Sequence, residues 1–77
     1  MTGRLTNNLV AARTGLSFSM VSRLRSGSRD AGYQSMKKIE RGYGWPLSEQ
    51  IELRNSGQWN RTFENVIREF HARVKQE

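Results

Sequence analysis

The chain contains no cysteine, only one proline and one histidine, and no acidic residue before Asp30. Without cysteine there is no disulfide and no thiolate metal site, so nothing asks for an oxidising compartment and a cytoplasmic setting is expected. His71 has no second histidine or cysteine with which to share an ion, so it reads as structural or solvated and no metal is expected. No apolar run approaches the roughly 20 residues needed to cross a bilayer, and MTGRLTNN lacks the apolar core of a secretion signal. A soluble protein with no membrane partner follows. Catalytic signatures are missing as well: no nucleophile and base stand at a suggestive spacing, no glycine loop cradles phosphate, and the acids are scattered singly. Neither an enzyme, a cofactor nor a small-molecule substrate is expected.

What the chain does have is lopsided charge. Arg4, Arg13, Arg23, Arg25 and Arg29 all precede Asp30, so five of the six net positive charges lie in the first 29 residues. From Asp30 to Glu77, eight Lys and Arg face seven Asp and Glu. The cation excess belongs to one element and not to the whole surface, and its natural partner is a polyanion. At 77 residues the chain makes a single domain. A core of that size supplies only about 3 to 5 kcal/mol, so association with a partner is worth expecting.

Every periodic segment has helical spacing, and the breaks fall at glycine, at the proline and at polar clusters. The expected fold is therefore all-α, a small bundle of about five helices ending in a longer amphipathic one. Gly42-Tyr43-Gly44-Trp45-Pro46 and Asn55-Ser56-Gly57-Gln58 read as connectors. A first helix is expected from Asn7 to Thr14, with Thr6 as its N-cap and Leu5 and Val10 as a hydrophobic staple. A second is expected from Phe18 to Ser26, capped by Ser17 and stapled by Leu16 and Val21. Gly15 supplies the positive φ of a sharp turn between them, and Ala11, four residues earlier, permits close approach. This is the pattern of a helix-turn-helix.

At about 100° per residue, Met20, Val21 and Leu24 fall on one side of the second helix. Ser19, Ser22 and Ser26 fall opposite, flanked by Phe18 and Arg23. A face so short-chained and hydroxyl-rich fits a major groove, where Arg23 can donate two parallel bonds to guanine and Phe18 can cover a thymine methyl. Bland readings stand beside these: a solvated or phosphate-bound Arg23, a Phe18 buried against the fourth helix or a partner, and serines that are neutral surface.

The residues Ala11, Gly15, Leu16, Ser17, Val21, Ser22, Leu24 and Gly27 match the pattern A-x-x-x-G-φ-S … V-S … L … G, and the segment resembles the phage-repressor, Cro-like helix-turn-helix proteins. The resemblance covers residues 5–47, since Tyr33 to Glu40 and the turn Tyr43 to Ser48 look like the next helix of such domains and its exit. It implies binding to double-stranded operator DNA in a bacterial or phage-infected cell, with repression by occupancy of the site. Ser17, Phe18, Ser19, Ser22, Arg23 and Ser26 become candidates for base or groove contact. Arg4, Asn7, Arg13, Arg25, Ser28 and Arg29 become candidates for phosphate contact, with Arg25 near the edge of the core face, its stem on apolar surface and its head reaching a phosphate.

Relatives carry another helix before the pair, where this chain has only Met1 to Leu5. The 48–77 extension offers a substitute cover: Trp59, Phe63, Val66, Ile67, Phe70 and Val74 form one apolar stripe on a helix. Asn60 is a candidate cap for it, and Glu64–Arg68 and Glu69–Arg73 are favourable i,i+4 pairs. The stripe suits packing on its own domain or on a second copy, as a homodimer would require, and the pattern leaves both open. Lys37, Lys38 and Arg41 read as a solvated face, and Trp45 and Trp59 as core anchors. Two alternatives to a sequence-specific regulator remain: an antirepressor- or antitoxin-like interaction module working through the last helix, and a nucleic-acid binder indifferent to sequence.

Overall fold

A computed structural model describes residues 5–75, with side chains through Arg73, so Arg4 and the side chain of Val74 lie outside the described residues. The described chain is all-α, with five helices: α1 (Asn7–Thr14), α2 (Phe18–Ser26), α3 (Tyr33–Tyr43), α4 (Leu47–Asn55) and α5 (Trp59–Lys75). No helix among the described residues is long and apolar enough to cross a membrane, and no group of three or more His, Cys, Asp and Glu there is able to hold a metal ion.

The first two helices start and stop where their capping residues dictate. The Thr6 hydroxyl accepts a hydrogen bond from the Leu9 amide at 3.3 Å and the Ser17 hydroxyl accepts one from the Met20 amide at 3.1 Å. Between the helices, Gly15 takes φ 82° and its amide bonds to the Ala11 carbonyl at 2.8 Å. An L side chain resists that left-handed backbone, so glycine is what lets α1 end and α2 begin within three residues.

α1 packs on α2 and α3, and α5 lies across α2, α3 and α4. Val10, Val21, Leu24, Met36, Ile39, Phe63 and Ile67 are sealed from solvent where these helices meet. The centre is aromatic: Trp59 and Phe63 stack at 4.7 Å between ring centroids, and Trp45 stacks on Trp59 at 5.6 Å. Both tryptophans are thus core anchors. Gln50 of α4 is wholly buried among them. Its amide nitrogen donates to the Met36 and Trp45 carbonyls at 2.9 and 3.0 Å, and its oxygen accepts from Trp59 Nε1 at 3.2 Å. Three elements are thereby tied through one side chain whose polar atoms are all matched.

The apolar stripe of α5 packs on its own chain: Trp59, Phe63 and Ile67 are buried, and Val66 and Phe70 lie half-buried against the same core. His71 sits at its edge, sharing a 2.7 Å hydrogen bond with the Tyr43 hydroxyl and meeting the Phe70 ring edge-on.

Three local expectations are corrected. Gly42 and Tyr43 belong to α3 and not to a connector, because Gly42 is needed there. A Cβ on it would stand 2.8 Å from the Arg13 carbonyl oxygen, so the glycine allows α1 and α3 to touch backbone to side. Asn60 does not cap α5, which begins one residue earlier with the Thr62 amide bonding to the Gln58 carbonyl. Asn60 instead donates to the carbonyls of Leu24 and Arg29 at 2.8 and 3.2 Å, satisfying the end of α2. Finally, Glu64 and Arg68 form their i,i+4 pair at 2.7 Å, whereas no Glu69–Arg73 ion pair forms among the described residues.

Candidate nucleic-acid interface

The interface candidate is the outward side of α2. Its inward side is fixed by Val21 and Leu24, both fully buried, and helical geometry then turns Ser19 and Arg23 to solvent. Phe18, in the first turn, is 53% exposed, an unusual position for a large apolar ring, and it is not buried against the fourth helix or elsewhere among the described residues. The Arg23 and Arg29 side chains are exposed and make no hydrogen bond or ion pair among the described residues, so both cations are available to an anion.

The remaining serines are less uniform. Ser22 is half-buried and lines an open groove with Leu5, Thr6, Asn7, Arg25, Ser26 and Glu64, bounded by the start of α1, the side of α2 and the middle of α5. The Ser17 hydroxyl is occupied as an acceptor by its capping bond but keeps its own proton to donate. Ser26 and Ser28 are engaged with the turn at Gly27. The Ser26 hydroxyl donates to the Arg23 carbonyl at 3.2 Å, shares a 3.1 Å bond with the Ser28 hydroxyl, and accepts from the Ser28 amide at 3.4 Å.

Of the phosphate candidates, Arg25 is corrected. Its Nε and Nη2 donate to the two carboxylate oxygens of Glu64 at 2.9 and 2.8 Å, a bidentate fork. Its Nη1 donates to Asn7 Oδ1 at 2.9 Å and to the Leu5 carbonyl at 3.3 Å. With its side chain 17% exposed and its charge matched at 2.8 Å, Arg25 is a structural cation and not a free phosphate ligand. The two arginines nearby hold the Glu64 carboxyl below the ordinary carboxylate range, chiefly through the Arg25 hydrogen bonds, against the opposing effect of burial. Nothing in the local sequence signals this pairing, because Glu64 is 39 residues away.

Arg13 occupies the other end of α1. Its guanidinium carbon lies 4.2 Å from the Phe70 ring centroid, and its Nε donates to the Gly42 carbonyl at 2.7 Å. Both terminal nitrogens remain free, held in place by the ring and the carbonyl. Burial is the main cause that pushes the neighbouring Tyr43 hydroxyl up to about 12, with Arg13 acting the other way.

What the described residues define is a five-helix all-α fold with a capped helix pair exposing a serine- and arginine-edged surface. Comparison with known proteins finds no protein-family model, no curated protein and no solved structure that matches it.

Proposed function

We propose that the protein is a sequence-specific binder of double-stranded DNA that regulates transcription, acting as a phage-type repressor by occupying its operator. The observation that carries this reading is the two-sidedness of α2: Val21 and Leu24 are locked in the core while Phe18, Ser19 and Arg23 stand in solvent on a helix capped at its start by Ser17. In this reading, exposed arginines and amides draw the duplex in through its phosphates, and the short side chains of α2 then sample base edges in the major groove. Arg23 is the candidate guanine reader and Phe18 the candidate thymine-methyl contact.

The reading has a cost for one rival. An interaction module working through the apolar stripe of α5 has little stripe left to offer, since Trp59, Phe63 and Ile67 are already covered within the chain. A second copy on a two-fold symmetric operator would have to meet the first through another surface, with recognition helices about 34 Å apart.

The deciding experiment is selection from a random duplex library at near-physiological salt, followed by affinity for selected and scrambled duplexes. A preference of about a thousandfold or more is the expected result. Equal affinity for both overturns sequence specificity, and no affinity for either overturns DNA binding. Arg23→Ala should relax selectivity at one base pair, by about 1–3 kcal/mol.

A further inference from the structure

Asn7 is a side chain whose two ends have been told apart by its neighbour. A guanidinium has only donors, so the amide atom that Arg25 Nη1 touches at 2.9 Å must be the carbonyl oxygen. That leaves Nδ2 as the unspent end, and no residue among those described accepts from it. Arg25 is itself fixed by the fork to Glu64, and Glu64 Oε2 also accepts from Arg68 Nε at 2.7 Å. The side chains of Arg25 and Glu64 are 17% and 24% exposed, so the relay is partly shielded from competing water. Its outcome is a neutral donor, beside the hydroxyl-bearing Ser22 and Ser26, at the rim of an open groove on the side of α2.

Resting on the reading of α2 as the DNA-facing helix, we infer that Glu64 and Arg25 are positioning residues that orient the Asn7 amide to donate to a phosphodiester oxygen of the duplex. A neutral amide adds a directed hydrogen bond without adding charge, so it fixes the angle at which α2 enters the groove and contributes little to long-range attraction. Arg25, whose charge is already matched by Glu64, thus serves the interface without touching it. The C-terminal helix reaches the DNA contact through two side chains.

The test is a double-mutant cycle on the full chain, using the duplex selected from the random library. Asn7→Ala should weaken binding about tenfold, the effect of one lost hydrogen bond. Arg25→Lys, which keeps the charge but not the fork, and Glu64→Gln should each weaken it by a similar factor. Neither should weaken it further when combined with Asn7→Ala. Because Arg25 is not itself a phosphate ligand here, Arg25→Gln should leave the slope of log affinity against log salt unchanged. A slope falling by about 0.9 would instead mean that Arg25 neutralises a phosphate directly, and would overturn the relay. Additive losses in the cycle would also overturn it, as would full affinity in Asn7→Ala. Far-ultraviolet circular dichroism and thermal melting identify any variant that fails to fold, in which case the Asn7→Ala and Arg25→Lys arms, which leave the core intact, decide the matter. Wild-type protein that binds no duplex overturns the DNA reading and the relay with it, whereas wild-type binding with additive losses overturns the relay alone.

Discussion

Gly42 of α3 presses against the Arg13 carbonyl of α1, with 2.8 Å between that oxygen and the place a Cβ would occupy. The contact sets how near the two helices lie, and the Arg13 Nε bond to the Gly42 carbonyl then closes over it. Alanine in a helix interior is ordinarily favoured over glycine by about 1 kcal/mol. Here the obstructing atom is backbone, which cannot swing aside, so the overpacking cost of about 1–3 kcal/mol prevails. Gly42→Ala is expected to lower the midpoint of thermal or urea unfolding, and a raised midpoint would show that α1 and α3 separate freely.

Removing the buried amide of Gln50 should be costly out of proportion to its size. Gln50→Leu keeps much of the volume but strands the Trp45 carbonyl and Trp59 Nε1, and takes a second partner from the Met36 carbonyl inside α3. A loss of about 3 kcal/mol is expected, since each orphaned buried group costs about 1–3 kcal/mol and part is recovered by apolar packing. Urea denaturation measures it directly, and a change under 1 kcal/mol would mean that these groups find other partners.

Stability should fall in acid in a way that depends on Glu64. Its folded-state pKa lies below the ordinary value of 4.5, so the carboxylate contributes stability that is fully present above 4.5 and disappears as pH drops through the lower folded value. In Glu64→Gln the dependence of unfolding free energy on pH should be flatter below 4.5. Chemical denaturation of both proteins at a series of acidic pH values checks this.

At the alkaline end the sign reverses. The Tyr43 hydroxyl ionises near 12 in the folded chain against 10.0 ordinarily, so its contribution is intact below 10 and is lost as pH climbs towards 12. Tyr43→Phe should remove that decline, as followed by melting temperature between pH 9 and 12.

Phe18 offers a probe of base contact that spares the fold. Being 53% exposed, its ring adds little to the core, so Phe18→Ala should leave the melting temperature nearly unchanged. If the ring covers a thymine methyl, replacing thymine by deoxyuridine at one position of the selected duplex should weaken the wild type about threefold to tenfold and the variant not at all. Equal sensitivity in both proteins would remove Phe18 from the interface.

The bounds of α1 and α2 were legible because their determinants are local: Thr6 and Ser17 bond to amides three residues on, and Gly15 turns the chain where it stands. The stripe of α5 was legible as periodicity, but which surface it meets is a tertiary question, and the pattern fitted a second copy equally well. Gly42 misled for the same reason. Two glycines flanking Tyr43 just before Trp45-Pro46 read as a connector, yet Gly42 is demanded by a helix residue 29 positions earlier. The fates of Arg25, Gln50 and Asn60 were likewise invisible, because each is decided by partners distant in sequence. Of the candidate interface, the outward face of α2 could be drawn on a helical wheel, while the engagement of Arg25 by Glu64 could not.

The two bonds from Asn60 to the Leu24 and Arg29 carbonyls have a practical corollary for redesign. They moor the tail of α2 and the loop beyond it to α5, so that in its leading turns the side chains turned away from the buried Val21 are the portion free to vary. Residues 18, 19, 22 and 23 are therefore an exchangeable cassette, and a graft that keeps Ser17, Met20, Val21 and Leu24 onwards should inherit the pose of the donor scaffold along with its stability.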